Sequence, residues 1–175
     1  NFFGLIRMTR AVMPHMRKQG GGRILNIGSI LGLIPAPYMA TYAATKHAVE
    51  GFSESLDHEV RTQGIRVSVI EPAYTKTAFD ANTKELDAQL PEYAQARKAL
   101  NKLLKIGLAA GDDPKVVAEV VLKAANARQP KLRYPAGKMA GRLSVLRRFA
   151  PAALFDMAIR KDMKLDELDK IANQA

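Results

Sequence analysis

Arg23-Ile-Leu-Asn-Ile-Gly-Ser29 is the stretch of sequence from which the fold can be predicted. It is short and largely apolar, which is typical of a buried strand. Pro35 and Pro37 follow closely and permit neither a continued helix nor a continued strand. The sequence therefore predicts a strand whose carboxyl end lies at Ser29, where a loop begins.

Helical patterns flank this strand on both sides. Residues 2–19 place apolar side chains near helical spacing among basic ones and stop at the glycines of 20–22. Residues 41–62 carry a second apolar stripe, with Thr41 as the expected N-cap and Gly64 as the stop. One helix is therefore predicted before the strand and one after it.

Two further strands are predicted downstream. Ile65-Arg-Val-Ser-Val-Ile-Glu-Pro72 is rich in β-branched residues and ends at Pro72, and Lys131-Leu-Arg-Tyr134 is a shorter strand that we expect Pro135 to stop. Strands separated by helices of this length pair in parallel through right-handed crossovers. The predicted fold is therefore an α/β, doubly wound parallel sheet, and ligands bind such sheets beyond the carboxyl ends of the strands.

Two regions with helical character lie between the second and third strands. Residues 78–107 are polar, rich in Ala and broken at Pro91, as is typical of a mobile lid over a site. Asp113 and Pro114 then open a strongly patterned helix, the first as its cap and the second in its first turn. We expect the lid to contact the substrate.

The composition narrows the class of protein. The 175 residues are 47% hydrophobic and 25% charged, without Cys or Trp, which fits one globular domain and excludes collagen, disordered chains and disulfide scaffolds. No apolar run approaches the roughly 20 residues that a bilayer span requires, so we expect a soluble, cytoplasmic protein. The net charge of +10 requires an anionic partner to be considered.

This positive charge is concentrated towards the C-terminus. Residues 123–161 contain ten basic residues and one acid, Asp156. Residues 139–164 add an apolar face and are interrupted at Pro151, a pattern typical of a basic amphipathic helix. We favour an extension that folds over the site or against a neighbouring subunit, with peripheral contact to an anionic membrane as the alternative.

A basic nucleic-acid-binding or membrane-binding module is the non-enzyme alternative for the whole chain. The sequence has no helix-turn-helix signature, no aromatic-rich basic sheet and no metal finger. We therefore expect no nucleic-acid partner. Its 3 His residues do not complete a metal-ligand spacing, so we also expect no metal.

Tyr42 and Lys46 are the strongest candidates for chemistry. Their i, i+4 spacing at the start of a helix places both side chains on one face. A nearby ammonium favours the phenolate and lowers the pKa of a phenol from about 10, so Tyr beside Lys is a sensible proton donor. Tyr134 and Lys138 have the same spacing, but Pro135 lies between them and argues against a shared helix face.

Ser29 strengthens this interpretation, because it lies thirteen residues before Tyr42 at the predicted carboxyl end of a strand. Four stretches resemble the successive motifs of the short-chain dehydrogenases/reductases in order and spacing. They are Asn1-Phe-Phe-Gly4, Asn26-Ile-Gly-Ser29, Tyr42-Ala-Ala-Thr-Lys46 and Pro72-Ala-Tyr-Thr-Lys-Thr77. The resemblance covers the C-terminal two thirds of such an enzyme and implies a Rossmann-type domain whose N-terminal half is missing from this chain.

The resemblance implies a role for each matching residue. Tyr42 would donate or accept the proton of an alcohol/carbonyl pair, Ser29 would hold the substrate oxygen, and Lys46 would bind the nicotinamide ribose and lower the pKa of Tyr42. Asn1 would anchor a water in the proton relay. Apart from the resemblance, Met39 lies just before Tyr42 and is a candidate for contact with the substrate. The expected cofactor-binding residues are Tyr42, Lys46, Pro72, Ala73, Thr75 and Thr77.

Two positions depart from the family pattern. Ala73 stands where the family usually has Gly, and Gly28 stands where it often has Ser. The glycine-rich turn that cradles the pyrophosphate, and the residue that selects the cofactor, would both precede Asn1. The expected cofactor is therefore NAD or NADP without a choice between them, and we expect the fragment alone to be inactive.

The predicted activity is an NAD(P)-dependent interconversion of an alcohol and a ketone or aldehyde. The resemblance is nearest to the hydroxysteroid and retinol dehydrogenases, which favours a steroid-, retinol- or lipid-like substrate; a reductase of small carbonyl metabolites is the alternative. Residues 1–137 would form the catalytic part and 138–175 the C-terminal extension. Helices 2–19 and 41–62 resemble those of the family's dimer interface, so we expect a homodimer or homotetramer.

Overall fold

The computed structural model describes residues 1–78, 90–162 and 165. Its helices are α1 (Phe3–Lys18), α2 (Ala40–Val60), α3 (Ala94–Ala109), α4 (Pro114–Asn126), α5 (Lys138–Phe149) and α6 (Ala152–Asp162). Its strands are β1 (Gly22–Ile27), β2 (Ile65–Pro72) and β3 (Arg133–Ala136). Short 3-10 helices cover Ile30–Gly32, Arg61–Gln63 and Pro91–Tyr93.

The three strands form one parallel sheet in the order β1-β2-β3. The crossover from β1 to β2 contains α2, and the crossover from β2 to β3 contains α3 and α4. Parallel neighbours need such long connections, and helices are their usual content. The predicted α/β parallel sheet is confirmed.

The core is built on both faces of β2. Ile65 and Val67 pack with Met13 of α1 and with α2, whereas Ile70 packs with Ala124 of α4. Because side chains alternate along a strand, these odd and even positions lie on opposite faces of the sheet. Helices therefore cover β2 from two sides, which explains its nearly continuous apolar sequence.

Three local expectations are wrong. Thr41 is not the cap of α2, because the helix begins at Ala40 after Met39, which forms no side-chain cap. Pro135 does not stop β3 but lies inside it, opposite Glu71; β3 is an edge of the described sheet, where Pro is tolerated. Phe3, one of the apolar residues of the amphipathic helix predicted over residues 2–19, is not buried on its apolar face but is 73% exposed.

The ends of the other helices agree with the sequence. Asp113 caps α4 by accepting the Lys115 amide N–H at 2.8 Å. The basic amphipathic region forms two helices, α5 and α6, separated at Pro151. None of the helices in the described ranges is both long enough and apolar enough to cross a bilayer.

Candidate active site

Ser29 lies where the chain leaves the carboxyl end of β1. The Gly28 N–H donates to the Ile70 carbonyl oxygen at 2.8 Å and ties this loop to the central strand. The Ser29 Oγ accepts the Leu31 N–H at 3.1 Å as the cap of the short 3-10 helix that follows. Its side chain is thus held at the edge of the sheet where ligands bind.

Tyr42 and Lys46 lie one turn apart at the start of α2. The Tyr42 hydroxyl is hydrogen-bonded with the Ser29 side chain. Lys46 Nζ lies 5.7 Å from the centre of the Tyr42 ring and donates to the Ile27 carbonyl oxygen at 3.1 Å. The structure thus brings together the three residues that sequence spacing had placed at one edge.

Burial governs the ionisation of this cluster. Burial raises the pKa of Tyr42 above its ordinary value, although the hydrogen bond with Ser29 opposes the rise. Burial likewise lowers the pKa of Lys46, against the charge of Glu50 one turn further along α2. The role of Lys46 in lowering the pKa of Tyr42 stays a prediction.

The segment after β2 passes beside the same edge. Pro72 ends β2, and Ala73 packs against an apolar cluster formed by residues 30–34. The methyl group of Ala73, where the family usually has Gly, is thus accommodated in an apolar contact. The Thr75 hydroxyl donates to the Ala73 carbonyl oxygen at 3.3 Å, and Thr77 is exposed. A cleft of ≈ 450 Å³ is lined by Lys76, Thr77, Ala78, Lys105 and Leu108.

Asn1 and Met39 lie around this cluster without a direct polar contact to it. Asn1 is exposed, and its side chain has no hydrogen-bond partner in the described part of the chain. The adjacent Phe2 packs edge-on against Phe52 of α2, with ring centres 6.0 Å apart. Met39 is half-buried directly before α2. The roles of Asn1 towards a water and of Met39 towards a substrate stay predictions.

Helix α3 reaches across the carboxyl end of the sheet. Tyr93, just before α3, packs edge-on against Tyr38, with ring centres 6.5 Å apart. Near the other end of α3, a Cβ on Gly107 would lie 2.7 Å from the Tyr74 ring. Tyr38 precedes α2 and Tyr74 follows β2, so α3 and the short 3-10 helix before it together touch both loops that flank the cluster. Residues 79–89 of the predicted lid lie outside the described residues.

The C-terminal extension covers the loop that follows Ser29. Phe155 of α6 is 5% exposed and packs with Ile30 and Ile34. Arg147 of α5 donates to the Leu33 carbonyl oxygen at 3.1 Å and lies 5.2 Å from the centre of the Phe155 ring. These contacts favour the prediction that the extension folds over the site.

A buried acidic cluster behind the site was missed from sequence. Glu50 and Glu71 are 5% and 0% exposed. Arg133 Nε lies 3.0 Å from Glu50 Oε2 and 3.6 Å from Glu71 Oε1, and Arg133 Nη2 lies 2.9 Å from Glu54 Oε2. The signal available in the sequence was Glu71, a carboxyl in the otherwise apolar second half of β2, which indicates a buried charge that needs a partner.

This cluster gives a steric reason for Gly28. A Cβ at that position would lie 2.5 Å from Val69 Cγ1 and 3.0 Å from Glu50 Oε1. Real Cβ atoms do not approach neighbours as closely as the first distance, so Ser at position 28 would require the Val69 side chain, and to a smaller extent the Glu50 carboxyl, to shift. The departure from the family pattern is thus coupled to Glu50.

Known proteins resemble the chain along most of its length. The family model described as short chain dehydrogenase matches residues 1–88. The uncharacterised oxidoreductase YusZ of Bacillus subtilis is 36% identical, over 93% of this chain and 60% of that protein. An uncharacterised oxidoreductase of Schizosaccharomyces pombe is 34% identical, over 94% of this chain and 70% of its own length. A 3-ketodihydrosphingosine reductase of Bacteroides thetaiotaomicron is 36% identical, over 79% of this chain and 52% of its own.

Solved structures share the fold. A short-chain dehydrogenase from Streptomyces avermitilis has a TM-score of 0.69 at 29% identity, over 98% of this chain and 59% of the other. Structures from Burkholderia cenocepacia with NADP and Burkholderia phymatum with NAD have TM-scores of 0.67 and 0.68 at 22% and 24% identity. The match to the first covers 89% of this chain and 54% of the other, and the match to the second covers 83% and 52%. Both support the fold alone.

The parallel sheet with helices on both faces, and the polar cluster at its carboxyl edge, define a Rossmann-type α/β protein. The matching family model and the relatives add the particular group: the chain belongs to the short-chain dehydrogenase/reductase family. It spans 60% of the length of its Bacillus relative and 70% of the length of its fission-yeast relative.

Proposed function

We propose that this chain is the catalytic part of an NAD(P)-dependent oxidoreductase that interconverts an alcohol and a ketone or aldehyde. The hydrogen bond between Ser29 and Tyr42 at the carboxyl edge of the sheet, with Lys46 one turn away, carries this proposal. A hydroxyl pair beside an ammonium can hold a carbonyl oxygen and deliver a proton to it. Membership of the short-chain dehydrogenase/reductase family supports this chemistry.

NAD or NADP, when bound, supplies or takes up the hydride. The residues at this edge fit a nicotinamide nucleotide: the ammonium of Lys46 and the hydroxyls of Thr75 and Thr77 can donate hydrogen bonds to a ribose and a carboxamide. Lys76 and Lys105 in the adjacent cleft suit an anionic group. Structures of the same fold hold NADP or NAD, and neither is favoured for this chain.

The proton step follows from the ionisation of the cluster. Tyr42 is protonated at neutral pH, because burial raises its pKa, and it can therefore donate to a carbonyl oxygen that is being reduced. The Ser29 hydroxyl holds that oxygen in line. Once Tyr42 has lost its proton, the charge of Lys46, whose Nζ lies 5.7 Å from the centre of the Tyr42 ring, stabilises the phenolate.

An apolar substrate is favoured by the inner face of α3. Ala96 and Leu100 are both 8% exposed. They share one face of α3 with Gly107, the residue that contacts Tyr74 beyond β2. The contact of Gly107 with Tyr74 favours an orientation of this apolar face towards the edge that holds the site. A steroid-, retinol- or lipid-like compound fits such a lining better than a small polar carbonyl metabolite, which stays the alternative.

The proposed subunit contact uses α1 and α2. A groove of ≈ 390 Å³ runs between the two helices and is lined by apolar side chains that include Ile6, Met13 and Phe52. Phe3 and Met8 on α1 are 73% and 66% exposed. Such apolar exposure is typical of an interface, which supports the predicted homodimer or homotetramer. A cytoplasmic location stays a prediction.

The tail also exposes an apolar stripe beside its basic residues. The exposed members are Met139, Val145, Leu146, Phe149, Leu154 and Met157. Co-sedimentation with vesicles of phosphatidylserine and phosphatidylcholine distinguishes an extension that folds over the site from one that contacts an anionic membrane. Salt-sensitive co-sedimentation that is lost on removal of residues 139–164 supports a membrane contact, and no co-sedimentation leaves the extension over the site.

The decisive experiment replaces Tyr42 in the full-length protein. Tyr42→Phe removes the proton donor and keeps the ring, so kcat with a carbonyl panel and NADH or NADPH is expected to fall by roughly 10² to 10⁴. Tyr134→Phe is the matched control, because Tyr134 has the same spacing to a Lys but accepts the Lys131 N–H at 2.9 Å away from the site. Near-normal turnover of Tyr42→Phe would rule out the proposed mechanism.

Lys46→Met separates cofactor binding from the proton step. Loss of the ammonium is expected to raise the KM for the cofactor and to shift the pH profile of kcat to higher pH, because Tyr42 loses the charge that favours its phenolate. Unchanged cofactor affinity would remove Lys46 from the proposed site.

A further inference from the structure

The buried carboxyl of Glu50 has no part in the proton step, yet it lies directly behind the loop that carries Ser29. A Cβ on Gly28 would lie 3.0 Å from Glu50 Oε1, and a Cβ on Gly32 would lie 2.9 Å from Glu50 Cγ. Glu50 therefore fills the space that these two glycines leave on either side of Ser29. The loop and this side chain are shaped to each other.

We propose that Glu50 is a positioning residue, which fixes the loop of Ser29 to α2 and supports the charge of Lys46. The inference rests on the proposed function and extends it by a residue that contacts neither substrate nor cofactor. Lys46 and Glu50 are i, i+4 on α2, so one helix face presents first the ammonium at the site and then the carboxyl behind it.

Arg133 anchors Glu50 from the far side. Its Nε donates to Glu50 Oε2 at 3.0 Å, although the two residues are 83 positions apart in sequence. The other oxygen, Oε1, faces the loop, and it has no hydrogen-bond partner among the described residues. Glu50 thus connects β3 to the loop after β1 through α2.

The cost of burying Glu50 argues for a role beyond stability. A buried carboxylate with an unpartnered oxygen is destabilising, and an apolar side chain of similar size often serves stability as well or better. The charged and titratable groups around Glu50 are Arg133 from β3, Glu71 from β2, and Lys46, His47 and Glu54 from α2. A negative charge at Glu50 holds Lys46 in its cationic form against burial.

Three variants of the full-length protein test the proposal. Glu50→Ala empties the space beside Gly28 and Gly32, Glu50→Gln keeps the shape without the charge, and Glu54→Ala removes a second carboxyl that pairs with Arg133. Glu54 is the matched control, because its side chain is 47% exposed and it shares the same arginine.

The first readout does not depend on activity. Amide hydrogen exchange of residues 28–34 is expected to quicken at least tenfold in Glu50→Ala and to stay close to wild type in Glu50→Gln and Glu54→Ala. This result would support the positioning role even in a protein that turns over no tested carbonyl. Equal exchange in Glu50→Ala and the wild type would overturn it, whatever the activity.

The second readout uses the catalytic reaction. Glu50→Ala is expected to lower kcat at least tenfold with little change in substrate KM, and Glu50→Gln to restore most of kcat at pH 7. In Glu50→Gln the alkaline limb of cofactor binding, measured as the pH above which the KM for the cofactor rises, should move to lower pH, because Lys46 loses its proton more readily without the neighbouring carboxylate. Equal losses in Glu50→Ala and Glu54→Ala, or an unmoved alkaline limb in Glu50→Gln, would overturn the proposal. If the wild-type protein turns over no tested carbonyl while the variants show the expected changes in amide hydrogen exchange, the proposed function is rejected and the positioning role is kept.

Discussion

The two ends of β2 hold buried carboxyl groups in opposite ways. Beside the amino end, Asp57 is 1% exposed and accepts the Val67 N–H at 2.9 Å and the Arg66 Nε at 2.8 Å, with Arg61 as a third partner. At the carboxyl end, Glu71 is 0% exposed, and within the described chain neither of its oxygens has a hydrogen-bond partner.

The pKa values record this contrast. Although burial opposes it, the hydrogen bonds from Arg66, the Val67 amide and Arg61 hold the pKa of Asp57 at about 2. Burial, assisted by the charge of Glu50, raises the pKa of Glu71 to about 7, against the charge of Arg133. The amino end is therefore organised for stability, whereas the carboxyl end accepts a destabilising group beside the proposed site, as functional sites often do.

The largest effect is expected at the amino end. Asp57→Ala in the full-length protein should lower the free energy of unfolding at pH 7 by about 3 kcal/mol, because a buried amide and two arginines lose their acceptor. Urea unfolding measures this, with Glu59→Ala, an exposed acid on the same helix, as the control. A loss below about 1 kcal/mol would remove the contrast between the two ends.

The low pKa of Asp57 also predicts how the free energy of unfolding depends on pH in acid. The Asp57 pKa is depressed from 3.8 to about 2. Its contribution is therefore complete above pH 3.8, and it is lost as the pH falls towards 2. The stability gap between wild type and Asp57→Ala should narrow across that window, and a gap that is constant down to pH 2 would contradict the assignment.

Glu71→Gln should act in the opposite direction. Because the pKa of Glu71 is raised from 4.5 to about 7, the protonated side chain favours the folded state. This contribution to the free energy of unfolding is complete below about pH 4.5 and is lost as the pH rises through about 7. A neutral amide avoids that loss, so the variant should be more stable than wild type by about 2 kcal/mol at pH 8 and nearly equal to it at pH 5. Urea unfolding at the two pH values checks this, and a variant less stable than wild type at pH 8 would contradict it.

The carboxyl end was also where prediction from sequence succeeded most. Ser29 follows the end of β1 and Pro72 ends β2. Parallel strands bring their carboxyl ends to one edge, so topology alone placed these two residues together. Tyr42 and Lys46 needed only the period of one helix. These features depend on local pattern and strand direction, both of which the sequence contains.

The features that sequence did not reveal depend on distant partners. Arg133 and Glu50 meet across 83 positions, and neither residue type is expected inside a core from its own neighbours. Pro135 could be accepted within β3 because that strand is an edge of the described sheet. Thr41 lost its capping role because α2 begins one residue earlier.

The smallest effect is expected for Glu54→Gln. The Arg133 Nη2 to Glu54 Oε2 distance of 2.9 Å is short, but Glu54 is 47% exposed and water competes for both groups. Pairs of this kind contribute from about 0 to 1 kcal/mol, so we expect a loss of about 0.5 kcal/mol in the free energy of unfolding at pH 7, reduced further in 1 M salt. A loss of more than about 2 kcal/mol would mean that Glu54, and not the buried pair, holds Arg133 in place. In that case the positive charge of Arg133 would be held mainly by the exposed Glu54 and would offset less of the cost of burying Glu50 and Glu71. The contrast between the two ends of β2 would then be larger than the pKa values imply.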